Sequence, residues 1–320
     1  MKISSIVDII DGDLQNTPSI SFITQSHTNI SKINDGDLFI SSSLEEIIQA
    51  VKQGAFAIVY DINIDISSLD NEIAWIKVSS IDNALVKLLR FELNTQKLDS
   101  YYINTISYDI LNCLTSSKDN ILFLTKDNKY NFELLKNIDE DTIFISQNKE
   151  FILSIYPTSK EIALKNNKVE NLIIHSLFET SFSYNTRYFY KLKLPKLYLN
   201  NFLLVFDFLN KLELDTSKLN NLTYMNALFI NKRMQIQDYG KSNKFILANK
   251  NAKTINDEIE FINEYYKYGK LKIIDGLCCD EMLLDEIEDE NYNALYIKNR
   301  SIMEIEEILQ RNTKNTSRLF

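Results

Sequence analysis

No glycine lies between residues 55 and 239; the six in the chain are Gly12, Gly36, Gly54, Gly240, Gly269 and Gly276. Glycine opens backbone conformations that other residues enter only at a cost. Runs of it let successive amides point at a phosphate. A middle without glycine therefore has nowhere to build a Gly-rich phosphate loop. It must join its strands and helices through other residues. Ahead of this gap, residues 33–60 read as strand, helix, strand. Gly36 supplies a turn before the apolar run Leu38–Ile40. Ser43 is an expected helix cap, with Glu45 and Glu46 in the first turn, where the helix dipole favours carboxylates. Ile47, Ile48 and Val51 fall on one helical face, and Gly54 is placed to end the helix. Ala55–Tyr60 is apolar enough to be a strand buried on both faces.

The rest of the chain continues in the same rhythm. Ser19–Ile23 reads as a strand after a short leading segment, Ile73–Val78 as another, and Ser80–Leu93 as a helix. Tyr101–Thr105 reads as a strand leading into a helix at Ile106–Leu114. Strand, helix and strand follow around Asn120–Thr125, Phe132–Leu135 and Thr142–Ser146. Three runs look β-rich: Phe151–Ile155, Leu172–Phe178 and Arg187–Pro195. After a helix near Asn200–Leu209, the last third reads as a strand at Phe245 and a helix at Asn256–Tyr268. A strand at Gly269–Gly276, an acidic helix at Asp280–Glu290, a strand at Asn293–Ile297 and a closing helix at Ser301–Gln310 complete it. Such alternation predicts an α/β fold ending in a doubly wound, Rossmann-like sheet.

Composition narrows the function classes. With 320 residues, 45% hydrophobic and 11% aromatic, the chain has material for two or three cores. A formal charge of −9 gives no electrostatic footprint for nucleic acid. Cys113, Cys278 and Cys279 form no disulfide framework, which suits a reducing compartment. The first residues, short and acidic, are not read as a signal peptide, and no apolar run reaches the length of a membrane span. A cytoplasmic location is expected.

Two pieces carry a family likeness. Gly36-Asp37-Leu38-Phe39-Ile40-Ser41 and Ala50-Val51-Lys52-Gln53-Gly54-Ala55-Phe56-Ala57-Ile58-Val59 resemble the N-terminal domain of the Mur ligases. These are ATP-dependent enzymes that add amino acids to UDP-N-acetylmuramic acid. The likeness points to those adding the third residue or the terminal D-alanyl-D-alanine. It is strongest over residues 28–94, weaker over 231–276 and weakest between. It implies three small domains at 1–98, 99–224 and 225–320, the middle one shrunken.

The resemblance also says where chemistry is expected. The family reads Thr-Asp-Ser-Arg-Lys at a segment that helps hold the uridine nucleotide. Here His27 and Thr28 are followed by Asn29, Ile30 and Ser31, so His27, Thr28, Asn29 and Ser31 are the candidate ligand-binding residues of a degraded anchor. The family's phosphate loop, Thr-Gly-x-x-Gly-Lys-Thr, falls at the junction that reads Thr105-Ile-Ser-Tyr here, without glycine or lysine. Bulky Ile106 and Tyr108 are expected to fill that position. Arg233 and Asn251 are what remains of two C-terminal motifs, with Leu247 and Ala248 at the place of an acidic pair. These losses imply no catalytic residue, no cofactor and no metal site. They suggest a catalytically inactive relative acting as a binding, scaffold or regulatory factor in peptidoglycan precursor synthesis. Its expected partners are cell-wall synthesis enzymes or a UDP-muramoyl peptide. A retained UDP-muramoyl-peptide binder and an atypical ATP-dependent amide ligase are the alternatives.

Other conspicuous residues have plainer readings. His175 is expected to be a packed core histidine and His27 a surface one, although His27 borders the anchor. Cys278 and Cys279 read as buried structural thiols, and the acidic run from Asp280 as a solvated helix face. The tyrosine pairs at 188–190 and 265–266 read as core packing.

Overall fold

A computed structural model describes residues 1–66, 69–115, 119–136, 138–164 and 168–316. The chain divides into two compact units, Met1–Ala163 and Leu164–Phe320.

The first unit holds two sheets. Helix α1 (Ile3–Ile10) precedes strand β1 (Asp13–Leu14), β2 (Ser26–His27), β3 (Leu38–Ile40), helix α2 (Leu44–Lys52), β4 (Ala57–Tyr60), β5 (Ala74–Lys77) and helix α3 (Ile81–Leu93). The five strands lie in the order β1-β5-β4-β3-β2, with β1 antiparallel to β5 and the others parallel. Every residue of β3 and β4 is buried, as a parallel strand covered on both faces requires. Leu38, Ile40, Ala57 and Val59 meet α1 and α3 on one face; Phe39, Ile58, Tyr60 and Trp75 meet Ile47 and Ala50 of α2 on the other. Ile48, expected on the covered face of α2, is 41% exposed, because Ala50 takes the position against the sheet. The run Ser19–Ile23 makes only a single bridge, Phe22 to Lys2, and not a strand.

The second sheet comprises β6 (Asp99–Tyr102), helix α4 (Thr105–Leu114), β7 (Ile121–Leu124), helix α5 (Asn128–Leu135), β8 (Ile143–Ser146), helix α6 (Lys149–Ile155) and β9 (Lys160–Glu161), in the order β7-β8-β6-β9, all parallel. The run 151–155, read as β-rich, is the helix α6. The Asn148 side chain accepts the Phe151 amide at 3.1 Å and starts it, and Phe151, Ile152 and Ile155 form its buried face. Both sheets share one core. Leu85, Leu88 and Leu89 of α3 cluster with Phe132 and Leu135 of α5 and with Phe151 and Ile152 of α6.

The second unit also holds two sheets. The first is an antiparallel meander of β10 (Glu170–Ile174), β11 (Thr180–Tyr184) and β12 (Arg187–Leu192), whose Phe182 and Phe189 pack on Phe202 of helix α7 (Leu199–Lys211). The second has the order β14-β13-β15-β17-β16, from β13 (Leu228–Ile230), β14 (Ile236–Gln237), β15 (Phe245–Asn249), β16 (Leu271–Asp275) and β17 (Ala294–Lys298). Helix α8 (Ala252–Tyr265) covers the face bearing Ala294 and Tyr296. Helices α9 (Asp280–Glu288) and α10 (Ile302–Thr316) cover the face bearing Leu295 and Ile297. That is the doubly wound arrangement the alternation predicts.

Gly54 ends α2 at φ +93°, and its carbonyl accepts the Gly36 amide at 2.9 Å. A Cβ there meets Asp35 Oδ1 at 2.5 Å and Asp35 Cα at 3.2 Å. Gly54→Ala is therefore expected to cost about 1–3 kcal/mol. Urea unfolding should show a lower midpoint with an unchanged slope.

Candidate functional site

Strand β2 ends at His27, paired with Phe39 in the parallel sheet. Two residues on, Asn29 uses its side-chain oxygen to accept the Ser31 amide at 3.0 Å and the Ser31 hydroxyl at 2.8 Å. This starts a short 3-10 turn, Ile30–Lys32. Helix α5 starts at a cap of its own, Asp127, which accepts the Lys129 and Tyr130 amides at 2.9 and 3.1 Å. Lys129, Glu133 and Lys136 then share a helix face by their spacing. Glu133 Oε1 accepts the Thr28 amide at 2.6 Å and the Thr28 hydroxyl at 3.3 Å, and Oε2 accepts Lys32 Nζ at 3.0 Å. The same hydroxyl also lies 3.0 Å from the Lys129 carbonyl. Lys136 Nζ donates to the Ser26 carbonyl at 2.6 Å and to His27 Nδ1 at 2.8 Å. The Nδ1 atom thus acts as acceptor, and the ring proton belongs on Nε2, which faces Asp37 Oδ2 at 3.7 Å. Asp37 is itself held by the amides of Gln25 and Asn34 at 3.0 and 2.9 Å.

The cluster is buried: the side chains of His27, Glu133 and Lys136 are 6%, 10% and 8% exposed. Burial pushes the Glu133 carboxyl up, but the Thr28 amide, Lys32 and Lys136 outweigh it and hold the group below its ordinary range. Burial lowers the Lys136 ammonium, against the pull of Glu133. Glu92 of α3 is raised by burial, with Lys136 opposing, and its Oε2 is buried with no hydrogen-bond partner among the described residues. A cleft of ≈ 420 Å³ opens onto Glu133, walled by Thr28, Asn29, Lys32, Glu46, Asp127, Lys129 and Tyr130.

The structure brings His27, Thr28 and Asn29 to this place. Ser31 is exposed and engaged with Asn29. Sequence reasoning missed Glu133, Lys136, Lys129 and Asp127. The only signal for the first three was charges at helical spacing, which equally describes a solvated face. The two histidines exchange their expected roles. His27 is 5% exposed, buried by a helix a hundred residues away in sequence, whereas His175 is exposed, with Nε2 2.7 Å from Ser181 Oγ. The thiols are also corrected: Cys279 is exposed at the cap of α9, and Cys278 is half-buried against its core. Tyr188 and Tyr190 are 52% and 68% exposed on the outer face of the meander and are not core.

At the junction that corresponds to the family's phosphate loop, Ile103 and Asn104 alone separate β6 from α4. The Asn104 side chain accepts the Ser107 amide at 3.0 Å. Tyr108 is buried, donates to the Leu124 carbonyl at 2.9 Å and meets Phe123 edge-on; Ile106 is half-buried. In the second unit, Arg233 is exposed in the turn from β13 to β14, and Asn251 caps α8. Because β13 runs antiparallel to β15, that turn lies beyond the start of β15 and Asn251 beyond its end. The two residues therefore stand at opposite ends of the sheet. Behind Asn251, Glu258 is buried and accepts the hydroxyls of Tyr198 and Tyr296 and the side-chain amide of Asn249. Burial, with the nearby Glu258 carboxylate, pushes both phenols up. Among the described residues no group of three His, Cys, Asp or Glu is placed to hold a metal ion, and no helix is long and apolar enough to cross a membrane.

The lowered Glu133 carboxyl fixes a sign. A carboxyl with a depressed folded-state pKa contributes stability that is fully present above its unfolded value, near 4.5, and is lost as pH falls through the folded value. Glu133→Gln should lower stability by roughly 2 kcal/mol at pH 7. The difference from the unmodified chain should shrink as pH falls below about 4.5. Urea midpoints measured across that range check both parts.

No family model matches the chain, and no curated protein matches it. Solved structures do. MurF from Acinetobacter baumannii aligns with a TM-score of 0.57 at 10% identity, over 97% of this chain and 98% of that one. The UDP-N-acetylmuramoylalanyl-D-glutamyl-2,6-diaminopimelate–D-alanyl-D-alanyl ligase of the same organism aligns at 0.54 and 10%, over 98% of each. MurF ligase from Thermotoga maritima, solved in complex with ADP, aligns at 0.56 and 12%, over 92% of this chain and 98% of that one. The chain has a Mur-ligase-like fold.

Proposed function

We propose that this protein acts by binding, as a scaffold or regulatory factor linked to peptidoglycan precursor synthesis, and does not carry out ATP-dependent ligation. The observation that carries the reading is the β6–α4 junction. A triphosphate cradle needs several free, convergent amides, a lysine and a hydroxyl for magnesium. Here two residues bridge strand and helix, the Asn104 side chain takes the Ser107 amide, and Tyr108 fills the space beside Leu124. The fold shared with MurF supports the link to cell-wall precursors. The partners are then enzymes of that synthesis.

A second reading has its own observation. The cleft beside Thr28 and Asn29 lies at the segment that resembles the family's nucleotide anchor, which favours a retained UDP-muramoyl-peptide binder. An atypical ligase requires ATP binding by another route. One thermal-shift series separates the three, because a ligand that binds the folded chain raises its midpoint by mass action. We expect no shift with ATP–magnesium. A rise with ATP–magnesium overturns the non-ligase reading. A rise with UDP-N-acetylmuramoyl peptide alone selects the precursor binder, and silence to both leaves the scaffold, to be followed by co-purification with cell-wall synthesis enzymes.

A further inference from the structure

We propose that Glu133 is a tethered occupant of an oxyanion cradle, its carboxylate filling a place in which Thr28, Lys32 and Lys136 would otherwise hold an external anion. The inference rests on the binding reading and names the ligand class of that site.

An ordinary ion pair joins two side chains. Here one carboxylate collects a backbone amide at 2.6 Å and an ammonium at 3.0 Å, with a hydroxyl at 3.3 Å that it shares with the Lys129 carbonyl. Lys136 Nζ at 3.8 Å stands beyond them. A convergent amide backed by cations is the arrangement that binds anions. The donors come from the end of β2, the turn after it and α5, so no single element explains their convergence. Thr28 is 8% exposed, while Lys32 lies on the wall of the open cleft. The carboxylate therefore stands between solvent and a buried positive interior. Other acids set the stoichiometry. Asp37 faces His27, Glu92 acts on Lys136, and Glu46 and Asp127 line the cleft. They disfavour a second anion beside Glu133, so an external anion enters only as Glu133 leaves.

The test uses the full chain as unmodified protein, Glu133→Ala, Glu133→Gln and Glu133→Ala with Lys32→Ala. Thermal midpoints are read against sodium acetate or inorganic phosphate at constant ionic strength. Glu133→Ala should start lower and rise by roughly 3 °C or more at millimolar anion, while the unmodified chain stays still. A response to acetate alone supports a carboxylate-sized slot; a response to phosphate supports room for a tetrahedral group. The Lys32→Ala change should abolish the rise. Should Glu133→Ala not fold, Glu133→Gln is read by phosphate titration calorimetry. A folded Glu133 variant that ignores both anions overturns the inference, as does an equal response in the unmodified chain or one that survives loss of Lys32. ATP–magnesium binding by the unmodified chain would instead overturn the reading of the preceding section, so the two failures are distinguishable.

Discussion

The contact between Glu133 and Thr28 fixes how the two sheets of the first unit meet. Removing a carboxylate from water costs several kcal/mol, and a cluster of this kind persists only where that cost is offset by close, well-aimed partners. Glu133 has them: the amide of Thr28 and an ammonium from Lys32. Lys136 reaches past it to the Ser26 carbonyl and the His27 ring. The polar seam is continuous with the apolar one, where α3 packs against α5 and α6. Hydrophobic burial holds the sheets together without specifying register. The directional polar contacts decide which residue of α5 lies over the end of β2.

Scarcity of glycine shapes the rest. Among the described residues, nine other than glycine have positive φ, including Asn120, Asn171 and Asn185, with Lys191, Glu213, Met225 and Met234 later in the glycine-free span. Asparagine enters this region at little cost, whereas lysine, glutamate and methionine do so at about 1 kcal/mol each. Helix starts follow the same economy. Ser43, Ser80, Asn104, Asp127 and Asn148 each accept an amide of the helix they begin. A chain that ends and begins its elements with side chains leaves few helix-terminal amides open to a ligand.

This explains what was legible beforehand. Residues 33–60 could be read because their periodicity, cap and two glycines all agree, and the structure returns strand, helix and strand there. The doubly wound second sheet of the last unit was legible from alternation alone. Phe151–Ile155 was not, because five apolar residues carry no period; the cap at Asn148 and the neighbouring α3 decide that it is helical. His27 was misjudged for the same reason in three dimensions. Its local sequence is polar, and its burial comes from Glu133 and Lys136, which lie far along the chain. His175 sits among apolar neighbours in sequence, yet every residue of β10 beside it is exposed. Apolar character predicts a core only when another element arrives to cover it.

The two positions where the family likeness leads one to look for bound anions end in the same state by different means. At the start of α4 the amide of Ser107 is taken by a neutral amide oxygen from Asn104. At the end of β2 the amide of Thr28 is taken by a carboxylate that also carries two lysines. Displacing a neutral cap costs about 1 kcal/mol. Displacing Glu133 breaks charge-assisted bonds of roughly twice the ordinary strength and must re-solvate the group. The α4 terminus is thus the weaker barrier energetically, but it offers only two connecting residues and a buried tyrosine. The β2 terminus has the stronger barrier and the cations. The conditions for holding an oxyanion therefore meet where the chain's own carboxylate already sits.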